Sequence, residues 1–220
     1  MILNERTIGG LHDFLFQDIL PRHALPGAAA IDLGAGSGAL AVRLSELGLN
    51  VTAVDINQEN FKADMPFIQC DLNQSNFSSA LGDGTFDFVI AVEVIEHLES
   101  PIVFLRNVRR LLKQKGMALI STPNMDNVPS RARFFLTGKL HMMDERVPNH
   151  ISPIFYDLFT REYLPRAGFI LIEHQLYPRK GFKVSRASYV WMFHLLAHLL
   201  PGHSLRGDIN IFILQNQSRL

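Results

Sequence analysis

Glu93, Glu96 and His97 stand at positions i, i+3 and i+4, directly after the apolar run Phe86-Asp87-Phe88-Val89-Ile90-Ala91-Val92. A single helical turn at that spacing aims all three side chains to one side. Two carboxylates and an imidazole converging on a cleft suit a divalent cation, and the oxygen-rich donor set favours Mg²⁺ or Mn²⁺ over Zn²⁺. His150, in Asn149-His150-Ile151-Ser152-Pro153, is the candidate fourth ligand. A plainer reading stays open beside this one: Glu96 and His97 cap the following helix or touch a substrate. Without a metal, His97 or His150 is the candidate general base, because imidazole titrates near neutral pH.

A second group of residues points to a cofactor. The segment Ala30-Ile31-Asp32-Leu33-Gly34-Ala35-Gly36-Ser37-Gly38 is a short apolar strand running into three glycines, and Asp55 closes the next apolar run. Glycines let the backbone turn sharply and approach a ligand, and the helix that follows turns its free amides to the same space. An acid some 20 residues on can accept hydrogen bonds from ribose hydroxyls. The spacing is Gly-x-Gly-x-Gly, not the Gly-x-Gly-x-x-Gly of dinucleotide sites. Asp32, two residues ahead of the first glycine, would repel a pyrophosphate and suit the cationic amino-acid end of S-adenosylmethionine (SAM). The alternatives are a nicotinamide-dependent oxidoreductase, a SAM-binding chain that transfers nothing, and a glycine turn with no ligand.

The elements that position these residues alternate. Leu40, Leu44 and Leu47 fall at helical spacing up to Gly48. Pro101 opens a helix with Leu105, Val108 and Leu112 on one face and Gly116 as its stop, followed by a buried strand from Met117 to Ile120. A third helix is expected from about Ser152-Pro153 to Arg166, then strands over Phe169–Gln175 and Ile209–Leu214. This alternation predicts an α/β, Rossmann-like fold: a mostly parallel seven-stranded sheet, helices on both faces, the final strand antiparallel. We expect one domain over residues 1–220. It carries a helical N-terminal extension (1–26), a lid insertion (123–150) after a strand's C-terminal end, and an apolar helical insertion (184–201).

The motifs together resemble the class I SAM-dependent methyltransferases. Ile31-Asp32-Leu33-Gly34-Ala35-Gly36-Ser37-Gly38, Val54-Asp55, Cys70-Asp71-Leu72 and Phe86 to Leu98 occur in that family's order. The likeness covers roughly residues 25–175 and is nearest to the ubiquinone-biosynthesis O-methyltransferases. It implies that Gly34, Gly36 and Gly38 line the methionine moiety, Asp55 holds the ribose, and Asp71 with Leu72 contacts adenine. It also implies a divalent ion at Glu93, Glu96, His97 and His150. The expected reaction is methyl transfer from SAM to a small-molecule or lipid-like acceptor, most naturally at oxygen.

Composition narrows the rest. The 220 residues carry 21 Lys+Arg against 21 Asp+Glu, and no dense basic stripe, which argues against a nucleic-acid partner. Arg131, Arg133, Lys139 and Arg146 of the lid are interrupted by Asp144 and Glu145, so they read equally as a phosphate or carboxylate contact and as a solvated loop. The single Cys70 excludes an intrachain disulfide and reads as a small buried filler. Met1-Ile2-Leu3-Asn4-Glu5-Arg6 lacks a signal-peptide pattern, and Ala187–Leu200 is too short to span a bilayer, so a cytoplasmic chain with at most peripheral membrane contact is expected. His194 and His198 in that stretch read as core or surface histidines. Oligomeric state is left open.

Overall fold

The computed structural model describes residues 3–143, 145, 147–183, 193, 195, 197, 199, 202 and 204–217. Helices α1 (Leu11–Phe14) and α2 (Leu20–His23) are joined without a break by a π-wound turn, Leu15–Ile19. Strand β1 (Ala29–Leu33), helix α3 (Ala39–Glu46), strands β2 (Asn50–Asp55) and β3 (Phe67–Gln69), helix α4 (Phe77–Leu81) and strand β4 (Phe86–Val92) follow. Then come α5 (Pro101–Leu111), β5 (Leu112–Pro123), α6 (Val128–Thr137), α7 (Tyr156–Leu158) and α8 (Leu164–Ala167), the last two bridged by a second π-wound turn. Strands β6 (Phe169–Tyr177) and β7 (Ile209–Asn216) complete the chain.

The seven strands form one sheet in the order β3-β2-β1-β4-β5-β7-β6. Every pairing from β3 to β5 is parallel, and β7 runs antiparallel to both β5 and β6, as the alternation predicted. Strand order reverses between β1 and β4. Open α/β sheets bind ligands outside the strand C-termini at such a switch point. Asp32 pairs with Ala53 on one side and Ile90 on the other, so the C-terminal ends of β1, β2 and β4 share one edge.

Alternate strand residues face opposite cores. Ile31, Val89, Ala91 and Phe212 pack with Phe104, Leu105, Val108 and Leu111 of α5 and with Phe159. Ala30, Phe88, Ile90 and Ile213 pack with Leu11, Leu15 and Ile19 and with Leu40 and Leu44 of α3. Burial on both faces explains why these strands read as nearly unbroken apolar runs.

Two boundaries differ from expectation. Helix α5 ends at Leu111, not at Gly116: Leu112 is already extended and pairs with Phe86, and the register shifts before Phe88 meets Met117. Leu112 matched the helical period, yet it is buried just as well on the sheet, and Lys115 turns the intervening segment at φ 62°. The third helix begins at Tyr156, four residues late. Ser152–Phe155 is not helical: the Ile151 and Ser152 amides donate to the Glu96 carbonyl, and the Tyr156 amide donates to Asp126 Oδ2 (2.7 Å). Within residues 123–150 the chain forms a helix, α6, and within residues 1–26 the helical turns run from Leu11 to His23. Most of the 184–201 insertion, including Trp191, His194 and His198, lies outside the described residues, as do Asp144 and Arg146. Among the described residues no helix is long and apolar enough to cross a membrane.

Candidate active site

The glycine turn after β1 is held by steric need and by Asp55. Gly34 has φ 79°, and a Cβ there would sit 2.5 Å from Val94 Cγ2. Gly36 has φ 55°, open space around its α-carbon, and an amide that donates to Asp55 Oδ2 at 2.8 Å. The Asn57 amide donates to Asp55 Oδ1 at 2.9 Å, so the carboxylate at the end of β2 is fixed by two backbone donors. It keeps acceptor capacity for further hydroxyl donors.

These residues open onto a cavity of about 740 Å³. Asp32, Gly34, Gly36, Asp55, Asp71, Leu72, Glu93, His97 and His150 line it, so most of the residues singled out in the sequence converge on one space. Gly38 does not line it. That glycine caps α3 at φ 89°, where a Cβ would run into Ala63 and Phe61, so its role is local packing. Cys70 is buried beside the cavity, and burial raises its thiol pKa, in keeping with a filler.

Asp32 is buried and its Oδ2 has no hydrogen-bond partner. Burial first, and the charge of Asp55 second, push its pKa up to about 7. A buried carboxylate without a partner is costly, and a ligand ammonium would relieve that cost. The orphaned oxygen, the glycine cradle and the doubly anchored Asp55 fit the amino-acid and ribose parts of SAM.

The sequence reading missed the N-terminal wall. Asn4, Arg6, Thr7 and His12 also line the cavity, and among the described residues Arg6 is the sole Lys or Arg that does so. The wall is tied down at several points. Ser37 Oγ donates to the Asn4 carbonyl (2.9 Å), Arg43 pairs with Glu5 (2.7 Å) and Asp13 (2.5 Å), and Tyr177 Oη donates to the Gly9 carbonyl (2.8 Å). No local motif marks Arg6, because its place is set by a segment folding back from outside the sheet.

At the end of β4, Glu93 adopts φ 56°, a conformation rare outside glycine. Its amide meets both the Ser121 carbonyl (3.2 Å) and Ser121 Oγ (3.1 Å), and that hydroxyl donates to Glu93 Oε1 (3.1 Å). The turn that follows, Ile95–His97, is 3-10 and not α-helical. Glu93 therefore stands apart from Glu96 and the two histidines. Ligand atoms of Glu96, His97 and His150 lie within 4.8 Å of one another, and Glu93 is outside that group.

Glu96 is fully buried beneath the cavity floor, with neither carboxylate oxygen hydrogen-bonded. Burial, reinforced by the charge of Glu93, raises its pKa well above the usual carboxylate range, and the nearby Thr122 hydroxyl opposes this weakly. Burial likewise raises Glu93 to about 7, against the Ser121 hydrogen bond. His97 Nδ1 lies 3.0 Å from the Asn149 carbonyl and His150 Nδ1 lies 2.8 Å from the Met142 carbonyl. Each ring must donate from Nδ1 to a carbonyl, which leaves Nε2 as the free lone pair. The two rings meet edge to face with centroids 4.6 Å apart. Burial and then the neighbouring His97 lower the pKa of His150, so it is neutral at neutral pH.

An open sheet with its crevice at the switch point, acids closing β1 and β2 and a glycine turn between them define a class of nucleotide-cofactor α/β proteins. A methyltransferase-domain family model matches residues 5–194, and the chain belongs to that family, the class I SAM-dependent methyltransferases. A ubiquinone biosynthesis O-methyltransferase of Rickettsia bellii is 36% identical over 99 residues, which is 43% of this chain and 41% of that protein. The chain thus matches less than half the length of that relative. A SAM-dependent methyltransferase from Archaeoglobus fulgidus is similar in fold at TM-score 0.64 and 17% identity, over 93% of this chain and 94% of that one. The 1,6-didemethyltoxoflavin-N1-methyltransferase of Burkholderia thailandensis, solved with S-adenosylhomocysteine, gives 0.62 at 18% identity, over 96% and 80%.

Proposed function

We propose that this chain transfers the methyl group of SAM to an oxygen of a small or lipid-like acceptor, assisted by Mg²⁺ or Mn²⁺ held at Glu96, His97 and His150. The observation that carries the reading is the single cavity shared by the glycine turn, Asp32, Asp55 and the two histidines. The similarity to ubiquinone-biosynthesis O-methyltransferases supports oxygen as the nucleophile.

SAM supplies an electrophilic methyl on a sulfonium. The chain must hold it in line with the acceptor oxygen and manage one proton. Asp32 suits the ammonium, Asp55 the ribose hydroxyls, and Asp71 with Leu72 the adenine. The donor set of Glu96, His97 and His150, with unpartnered carboxylate oxygens on Glu96, fits a divalent ion. Such an ion lowers the pKa of a coordinated hydroxyl. Neutral His150, with Nε2 free and Nδ1 tied to Met142, is also placed to accept the acceptor's proton directly. Much of the acceleration would come from alignment alone.

Calorimetric titration of Mn²⁺ into EDTA-stripped protein saturated with S-adenosylhomocysteine tests the metal. One ion per chain, lost in His97→Ala, is expected. No heat in the wild type would remove the metal and leave His150 as the base.

A further inference from the structure

Helix α6 is buried at its base and unsupported at its tip. Val128, Pro129 and Ser130 are buried, and Asn127 caps the first turn, accepting from the Ser130 amide at 2.8 Å. Two turns later Phe134 is 54% exposed, Phe135 87% and Leu136 76%. Three consecutive positions on a helix sweep more than half its circumference. The exposure is therefore not one face awaiting a neighbour; the whole end of the helix is apolar and projects outward. Gly138, at φ 66°, then stops the helix with its amide on the Phe134 carbonyl.

Charge selects among the surfaces that could receive such a tip. Between Asp126 and the pair Asp144-Glu145 the chain holds Arg131, Arg133 and Lys139 and no acid, so the cations lie nearer the tip than the acids do. Arg131 and Lys139 are exposed on either side of the aromatic pair. Bulky apolar groups flanked by cations, Arg131 held through Nε on the Asp126 carbonyl and Lys139 beyond the helix end, match the boundary between acyl chains and anionic head groups. The base of α6 packs through Val128 on Ala197, and Leu195 and Leu199, two residues either side of Ala197, are exposed. A second apolar strip thus accompanies the first.

We propose that the tip of α6, Phe134-Phe135-Leu136, seats this chain on an anionic lipid bilayer. Immediately after the tip, Gly138, Lys139, Leu140, Met143 and Val147, with Glu145 as the single acid among the described residues, line a hollow of about 550 Å³ that reaches Pro148 and His150, both of which also line the cofactor cavity. With the tip seated, that hollow is the route by which a lipid-like acceptor passes from the bilayer to the histidines. The route rests on the proposed methyl transfer; seating on the bilayer does not, so the two fail separately.

The test is flotation of the full chain with phosphatidylcholine vesicles, with and without phosphatidylglycerol. It is repeated for Phe135→Ser, for the triple variant Phe134→Ser/Phe135→Ser/Leu136→Ser, and for Lys139→Glu. S-adenosylhomocysteine binding and thermal melting confirm that each variant folds. Partition onto anionic vesicles is expected to fall about tenfold or more in the triple variant and severalfold in Lys139→Glu, with cofactor affinity unchanged. Four results would overturn the proposal: no flotation of the wild type, equal partition onto neutral vesicles, an unaltered triple variant, or a triple variant that instead converts a dimer to a monomer in light scattering.

Discussion

Asp32 carries the largest unmet electrostatic demand in the cofactor half of the cavity. Its carboxyl titrates near 7 when folded and near 3.8 as a free side chain. Below about pH 4 it is protonated in both states and costs nothing; between about 4 and 7 the unfolded chain binds fewer protons, so stability falls as pH rises. Asp32→Asn should therefore melt higher than wild type at pH 8 in the absence of cofactor, by up to about 4 kcal/mol, and no differently at pH 4. The same variant should bind S-adenosylhomocysteine at least about tenfold more weakly, since a charge-assisted hydrogen bond is lost. Melting curves at both pH values, with and without cofactor, check the pair of outcomes. Arg6 answers the opposite charge. As the one permanent cation lining the cavity among the described residues, it is the residue suited to the methionine carboxylate. Arg6→Ala should weaken S-adenosylhomocysteine roughly tenfold or more and leave methylthioadenosine, which lacks that carboxylate, unaffected.

Elements place these side chains, and the glycine turn shows how separate the demands can be. Both positions must hold a positive φ, but Gly34→Ala also meets Val94 at 2.5 Å, whereas Gly36→Ala meets nothing within 4 Å of protein. The first should lose both stability, by about 1–3 kcal/mol, and cofactor binding. The second carries the left-handed backbone cost alone, about 1–2 kcal/mol, while still losing cofactor, because its methyl points into space the ligand needs. Thermal melting and calorimetry on the two variants separate these effects. What was legible in the sequence follows the same division. The strand, turn and acid at Asp32, Gly34 and Asp55 are local, so the residue pattern revealed them. The end of α5 was not legible, because Leu112 satisfies a helical period and a sheet position equally and only the pairing with Phe86 decides. The spacing of Glu93, Glu96 and His97 suggested one helical turn, but the φ of 56° at Glu93 breaks it. The backbone strain there splits the acids into one hydrogen-bonded to Ser121 and one buried beneath the histidines.

Across the whole molecule, the switch between β1 and β4 gathers residues from the N-terminal wall, four strand ends and the 148–151 segment around one cavity. Arg6 and Asn149 reach it from segments with no motif of their own, and the Met142 carbonyl only orients His150 from behind, which is why sequence pattern could not place them. The central claim is that this cavity is built for SAM and not for a nicotinamide dinucleotide. Calorimetric titration of S-adenosylhomocysteine and of NADH into the wild type and Asp55→Ala tests it directly. The account predicts one S-adenosylhomocysteine per chain, strongly weakened by Asp55→Ala, and no heat from NADH. Binding of NADH, or S-adenosylhomocysteine affinity indifferent to Asp55, would contradict it.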